Sequence, residues 1–488
     1  MTESTKHVGN RYVKILAAVL VVYMLFTVLF YWASGEQLFF RQSETKPITA
    51  KNCAAVMTDG TRVWFALTPE TEYLDRISLL VGTYGKDNQG ELVMQVFDED
   101  GQLLSEAVLA TSGLVDYVYQ DFIFDTPLSQ VQGEQLNVVI TARNVPQDQG
   151  VSLWYGTEIN AGKFTIPDMN GHTFQVNGAG YDGKICYSMV GRNTLKVGHI
   201  YWYLTVAVGL LLAAYTVYNA KALQNGKRTL VTRVIYLYRR YSFLIRQLVA
   251  RDFKRKYKRS ALGVLWSFLN PLMTMLVQYF VFSTIFKSSI ENFIVYLLSG
   301  IIIFNFFGES IGLGLGSIVE NAHLINKVYM PKEIYPVSRV LFSVINMVIS
   351  LVPLFIVMLI TGVPFTKSML LIPIGLILLL LFCMGLSMLL SASMVFFRDT
   401  QFLWNIVSTL WQYLTPTFYP IDIIPEAWLP VYKLNPMYQF ITFLRTILLE
   451  GMAPSAELYA GCFISAFVML AIGYTVFRKN QDKFVMYL

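Results

Sequence analysis

Residues 251–287 read RDFKRKYKRSALGVLWSFLNPLMTMLVQYFVFSTIFK. A cluster of cations stops at Ala261-Leu262-Gly263, Trp266 and Asn270-Pro271 follow, and a long apolar run comes after. Lysine and arginine resist transfer across a bilayer, so a basic cluster feeding an apolar run marks a cytoplasmic segment entering a transmembrane helix. The rest of the composition agrees. Of 488 residues, 55% are hydrophobic, 15% aromatic and only 14% charged, whereas soluble domains carry about a quarter charged residues. A helix needs about 20 apolar residues to cross a hydrocarbon core of roughly 30 Å. Eight crossings are expected, at about 16–32, 200–217, 262–286, 292–314, 337–361, 369–396, 402–419 and 457–477. The even number predicts that both termini are cytoplasmic, and Arg478, Lys479 and Lys483 beyond the last run agree. The predicted fold class is a polytopic α-helical membrane protein with an all-β insertion.

That insertion lies between the first two crossings, over 34–198. The first run ends in Tyr31-Trp32, as an interfacial anchor would, and no convincing small-residue cleavage site follows it. It therefore reads as a retained helix over 1–33. Then the character changes. Runs such as 92–96, 136–140 and 151–155 have strand length, and Asp98-Glu99-Asp100-Gly101 separates two runs as a hairpin turn would. Short strands punctuated by Gly and Asp predict a β-sandwich, with a jelly-roll carbohydrate-binding module as the nearest and weak resemblance. A second helix over 199–219 opens with Tyr201-Trp202-Tyr203, and the basic segment 220–260 holds about a dozen Lys and Arg against the single acid Asp252. The β segment holds more acids than bases. This asymmetry predicts the β domain outside and the basic segment inside. Tyr241, Leu244, Ile245 and Leu248 recur at helical spacing among the arginines, which predicts an amphipathic helix on the cytoplasmic membrane surface. A plain stop-transfer cluster is the alternative.

The membrane core covers 261–488. Within it, about 420–455 is too polar for a simple span and too apolar for a free loop, and Pro420, Pro425, Pro430 and Pro436 punctuate it. Irregular backbone survives at membrane depth only when buried in protein or lining a wet cavity, so a re-entrant pair of short helices at the external face is expected. Enzyme chemistry has no foothold. The four histidines, His7, His172, His199 and His323, form no HExxH, no GxSxG appears, and no cysteine pair has metal-binding spacing. Gly312-x-Gly314-x-Gly316 lacks the Gly-Lys-Ser/Thr of a phosphate cradle and reads as close helix packing. Neither a metal, nor a nucleotide, nor a nucleic acid is expected on this chain.

The order Arg-Asp, basic run, Leu-Gly-x-x-Trp, Asn-Pro resembles the opening of the membrane subunit of ABC-2 type polysaccharide exporters, the transporters of O-antigens, teichoic acids and capsular polymers. Further motifs keep the family's order: SIVENAHLINKVYMPKEIYP over 317–336, Phe397-Arg398-Asp399, Thr415-Pro416-x-Phe418-Tyr419-Pro420, and Asn435-Pro436 followed by Arg445. The likeness covers about 235–488; residues 1–220 fall outside it.

The resemblance implies a homodimeric permease served by two copies of a separate ATPase, which would bind the ATP and Mg. It would move an undecaprenyl-linked or similar lipid-linked polysaccharide through the bacterial cytoplasmic membrane. Glu320, Asn321, Leu324, Lys327 and Pro331 would couple it to the ATPase. Arg251, Arg255, Tyr257, Arg259 and Trp266 would form a gate at the cytoplasmic entrance, where arginine forks suit a lipid diphosphate, though attraction to anionic lipid explains the same charges. Sugar rings slide over flat aromatic faces, and Tyr279, Phe304, Phe307, Trp404, Trp411, Tyr413, Phe418 and Tyr419 are the candidates to line the path. Cys53 and Cys186 bracket the β segment and would be available for a disulfide if it lies outside. Its role is open between holding emerging polymer, capturing a modifying enzyme and bracing the dimer. A drug or lipid exporter, a membrane glycosyltransferase and an anchored sugar receptor are the rival readings.

Overall fold

The computed structural model describes residues 3–45, 50–86, 88–156, 173–224, 230–258, 260, 262–285, 292–325, 327 and 330–488. Arg259 and Glu291 lie outside the described residues. Two compact units divide the chain, Glu36–Tyr203 and a second made of Met1–Gly35 with Leu204–Leu488.

The first helix is α1 (Glu3–Ser34), and the unit that follows it is all β. Its strands are β1 (Phe40–Glu44), β2 (Asn52–Met57), β3 (Arg62–Leu67), β4 (Tyr73–Gly82), β5 (Glu91–Phe97), β6 (Leu103–Ala110) and β7 (Val118–Ser129). The remainder are β8 (Leu136–Arg143), β9 (Val151–Gly156), β10 (Phe174–Val176), β11 (Ala179–Tyr181), β12 (Lys184–Ile185) and β13 (Tyr187–Thr194). One sheet has six strands in the order β11-β10-β3-β8-β5-β6; the other gathers β1, β2, β4, β7, β9, β12 and β13.

Alternation decides which side chains go inside. On β8, Leu136, Val138, Ile140 and Ala142 are buried while the residues between them are not. They share one core with Val63 and Phe65 of the same sheet and with Leu79, Val81 and Leu153 of the other. Two antiparallel sheets closing on a common apolar layer make a sandwich. The Asp98–Gly101 stretch is the β5–β6 turn: Asp98 Oδ1 accepts the Gln102 amide at 2.7 Å, and Gly101 takes φ +80°. That carboxylate oxygen serves its own hairpin.

The proposed cysteine pairing needs correction. Cys53 stands opposite Trp154 across the β2–β9 pair, and Cys186 N–H bonds the Trp154 carbonyl from the other side of β9. A whole strand separates them, which is two spacings of about 4.8 Å, beyond the roughly 7 Å that a disulfide tolerates between Cα atoms. Both are free thiols.

The second unit is helical. It contains α2 (Lys196–Gln224), α3 (Leu230–Tyr257), α4 (Leu265–Phe280), α5 (Phe293–Leu315), the short α6 (Ala322–Ile325), α7 (Ile334–Thr361) and α8 (Ile372–Phe396). Then follow α9 (Thr400–Tyr413), α10 (Leu429–Leu434), α11 (Pro436–Leu448), α12 (Ala456–Asn480) and α13 (Phe484–Tyr487). Among the described residues, seven helices are long and apolar enough to cross a membrane: α1, α2, α4, α5, α7, α8 and α12. Protein surrounds them unevenly, with 72% of the α5 window buried against 6% of the α2 window. The helix α5 is thus the centre of the bundle.

The eighth expected crossing differs. The run 402–419 was expected to be one helix, but α9 stops at Tyr413 after 14 residues, a length of about 21 Å at 1.5 Å per residue. The cause is local. Thr415 Oγ1 donates to the Trp411 carbonyl at 2.8 Å, and Pro416 then supplies no N–H and disfavours helical backbone at the residue before it. Glycines set the closest helix contact. A Cβ on Gly473 of α12 would collide with the backbone of Gly385 on α8, and one on Gly314 of α5 would collide with Ser387 of α8.

Candidate functional site

Two helices and a loop meet at a partly buried charge network. The carboxylate of Asp252 near the end of α3 is only 4% exposed as a residue, and Arg339 on α7 only 5%. Arg339 Nη1 lies 3.2 Å from Asp252 Oδ2, an ion pair without hydrogen-bond geometry. Its Nη2 donates to Glu320 Oε2 at 2.7 Å. Arg251 closes the ring, with Nη2 3.1 Å from Asp252 Oδ1 and a longer bond to Asn321 Oδ1 at 3.4 Å. Two arginines face two carboxylates, so the charges balance. That balance permits burial, because removing one member of a buried pair strands the other at a cost of about 3–5 kcal/mol.

The residues expected to couple to an ATPase separate in this geometry. Glu320 stays half-exposed while holding Arg339. Asn321 is buried, and its Nδ2 donates to the Ser317 carbonyl at 2.8 Å. Leu324 packs against a small core with Ile318, Ile325 and Tyr335, Pro331 is half-buried and Lys327 is exposed. Lys332 beside them donates to the Gln481 carbonyl at 2.6 Å, tying the loop to the end of α12. Burial lowers its pKa, partly offset by Asp482 and Glu333.

The expected gate residues also divide. Tyr257 is buried, its hydroxyl donating to Asn346 Oδ1 at 2.8 Å and paired with the Ser267 hydroxyl. Asn346 Nδ2 in turn donates to Glu309 Oε1 at 2.8 Å, and Lys256 Nζ lies 2.6 Å from the same oxygen. The last turn of α3 is thereby fastened to α4, α5 and α7. Arg251 belongs to the network above, whereas Arg255 and Trp266 remain open to the surroundings. A cleft of about 530 Å³ runs between α3 and α7, apolar along Ile245, Val249, Phe253 and Ile345 and bordered by Arg246 and Lys254.

At the other irregular region, Arg445 on α11 is buried, and among the described residues no carboxylate pairs with it. Its Nη1 donates to the Pro416 carbonyl at 2.7 Å, and its Nη2 to Thr417 at 2.6 Å and Tyr296 at 3.1 Å. The guanidinium also lies 3.4 Å from the Tyr296 ring centre. Asn435 works beside it, accepting from Trp411 Nε1 at 2.8 Å and from the Met437 amide at 3.0 Å as the N-cap of α11. Backbone that no helix satisfies is satisfied by these two side chains.

The aromatic candidates divide between core and surface. Phe307 is fully buried, with Phe304, Phe382, Trp404 and Trp411 all within 6.3 Å of its ring centre. Phe304, Phe307 and Trp404 belong to the helical core, and Trp411 packs against them. Tyr279 and Tyr413 are exposed. Phe418 joins Phe282, Tyr413 and Tyr419 in a chain of ring contacts near them.

Arg339, Glu309 and Asn346 were not singled out in the sequence. The signal was present for the first two, since a charged residue inside an otherwise apolar run is costly and marks function or pairing.

Among the described residues, seven helices long and apolar enough to cross a membrane define a multi-pass membrane protein. Comparison with known proteins narrows the class. The ABC-2 type transporter family model matches residues 244–449. A relative from Myxococcus xanthus, the O-antigen export system permease protein RfbA, is 32% identical over 260 residues, which are 52% of this chain and 97% of that protein. The protein of the same name from Klebsiella pneumoniae is 28% identical over 235 residues, 48% of this chain and 90% of its own length. The polysialic acid transport protein KpsM of Escherichia coli is 22% identical over 244 residues, 49% of this chain and 93% of its own. The chain belongs to the ABC-2 type transporter family.

Proposed function

We propose that this chain is the permease subunit of an ATP-driven exporter of lipid-linked cell-surface polysaccharide in the bacterial cytoplasmic membrane. It works as a homodimer with two copies of a separate ATPase that carries the ATP and Mg. The observation that carries the reading is the Arg339 network. It joins the basic helix α3, the 317–321 loop and the bundle helix α7 through the buried Asp252–Arg339 pair and the half-exposed contacts of Glu320 and Arg251. A push on the loop is therefore delivered to α3 and α7 together, as a coupling element requires, and the relatives named for O-antigen and polysialic acid transport support the cargo class.

In this reading α3 lies along the cytoplasmic surface, with Arg255, and the sequence neighbour Arg259, offered to a lipid diphosphate. The helix α9, about 21 Å long, and the bent 414–420 stretch that follows it cross together in this reading. The helices α10 and α11 re-enter from the outside, both termini are cytoplasmic, and the β unit is extracytoplasmic.

The test is co-expression with the candidate ATPase, purification in lipid and measurement of hydrolysis with and without lipid-linked polymer. The complex is expected to co-purify, and Glu320→Gln is expected to lower polymer-stimulated hydrolysis about fivefold or more, the scale of a typical coupling energy. Absence of any associated ATPase, or full stimulation in the variant, would refute the coupling role.

A further inference from the structure

The outer face of the seven-stranded sheet carries a group of side chains that neither the core nor the transport reading uses. Along β4, Leu79 and Val81 enter the sandwich core, and along β9 so do Val151 and Leu153. Gly82 and Trp154, out of phase with these, therefore face outward. Gly82 is small for a reason. A Cβ there would lie 2.6 Å from Ser152 Oγ and 2.9 Å from Trp154 Nε1, so the missing side chain admits the indole. The indole is then fixed: Nε1 donates to Ser152 Oγ at 3.0 Å, and that hydroxyl donates to the Gly82 carbonyl at 3.2 Å.

Two tyrosines stand beside it. Tyr117 meets the Trp154 ring edge-on at 5.2 Å and is 52% exposed; Tyr84 is 54% exposed. Both have φ +56°, a left-handed backbone that Gly, Asn and Asp adopt readily and that a large side chain adopts only under strain. Core packing does not explain the strain, because both rings are open. Asp116 holds the two loops together, its Oδ1 accepting the amides of Thr83 at 2.6 Å and Tyr84 at 3.0 Å. Among the described residues its Oδ2 accepts no hydrogen bond. Further along the same face, Asp121 takes the hydroxyl of the buried Ser78 at 2.6 Å and pairs with Arg76 at 2.9 Å, the two charged side chains being partly exposed. Four residues separate Ser78 from Gly82 on β4, about 13 Å at strand rise.

We propose that this face binds a glycan chain, with pyranose rings seated on Tyr84, Tyr117 and Trp154, and hydroxyl groups taken by Asp116 and the Asp121–Arg76 pair. Exposed rings held in strained, pre-set positions suit a flat ligand with apolar ring faces, since rigid aromatic anchors lose little entropy on binding. Spare carboxylate and guanidinium atoms at the edge suit its hydroxyls. The arginine is already neutralised, so the face favours an uncharged or weakly charged polymer. Backbone strain of this kind clusters at ligand-binding and active sites. The proposal rests on the export reading only for the source of the glycan.

The test uses the full chain in lipid nanodiscs and surface polysaccharide of the producing cells, freed of its lipid and immobilised. The wild type is expected to bind saturably. Tyr117→Ala and Trp154→Ala are expected to weaken binding about tenfold each, as loss of a central aromatic anchor does, and Tyr117→Phe to restore most of it. The double variant Tyr84→Asn/Tyr117→Asn is expected to lose binding while melting no lower than the wild type, because asparagine tolerates the left-handed backbone. That separates a binding role from a structural one. No binding by the wild type, equal binding by all variants, or a change in self-association in place of glycan binding would each overturn the proposal. Polymer-stimulated ATPase activity of the wild-type complex is scored separately, so failure of the export reading is distinguishable from failure of this site.

Discussion

At the scale of single residues, Arg445 shows how an apolar region tolerates a full charge. Its partners among the described residues are backbone carbonyls of an irregular segment and the face of Tyr296, without a carboxylate. Arg445→Ala would take the guanidinium donor from two buried carbonyls, those of Pro416 and Thr417, each worth about 1–3 kcal/mol if unsatisfied. Thermal unfolding in detergent should show a loss of about 3 kcal/mol or more, and Arg445→Lys should recover only part of it because an ammonium cannot copy the planar fork. The thiols offer a second check. Maleimide at neutral pH should label Cys53 alone in the native protein, since Cys186 is buried and its pKa is pushed up to about 11. Denaturation without reductant should then expose all four cysteines; only two would mean that Cys53 and Cys186 are bridged. Residue identity foretold little of this. Arg251 looked like a free phosphate ligand, yet its partners Asp252 and Asn321 include one 70 positions away, and such pairings are set by the fold. The left-handed tyrosines were equally hidden, since nothing in a Tyr signals positive φ.

At the scale of elements, the legible features were those with a period or a punctuation. Alternation in 136–143 and the Asp-Gly turn at 100–101 gave strands and hairpin because the pleat has period two. The mistaken length of α9 has the complementary cause: its apolar run continues past the point where Thr415 and Pro416 end the hydrogen-bond ladder, and hydropathy does not register a missing N–H. The α8–α12 contact was invisible for a similar reason, because a glycine in an apolar run reads only as a gap. Gly473→Val would drive a branched side chain into the backbone of Gly385, which has no rotamer with which to yield. Overpacking of this kind costs about 1–3 kcal/mol or more. Reduced folded yield and a lower melting temperature are expected, and an unchanged melt would show that the two helices part easily.

At the scale of the whole molecule, two compact units divide the chain, one holding the acidic, turn-rich stretch and the other the basic segment. Every member of the Arg339 network belongs to the helical unit. Replacing residues 36–195, which leaves α1 and α2 whole, by a short Gly-Ser linker should therefore leave ATPase association intact, measured by co-purification, while abolishing retention on immobilised polysaccharide; loss of the ATPase would show that the β unit supports the core. The strained pair Tyr84 and Tyr117 carries one more consequence. A laboratory selection for heat resistance alone should find these two positions early, exchanging each tyrosine for asparagine or glycine. Its winners would be hardier than the natural protein and blind to what the natural protein is built to touch.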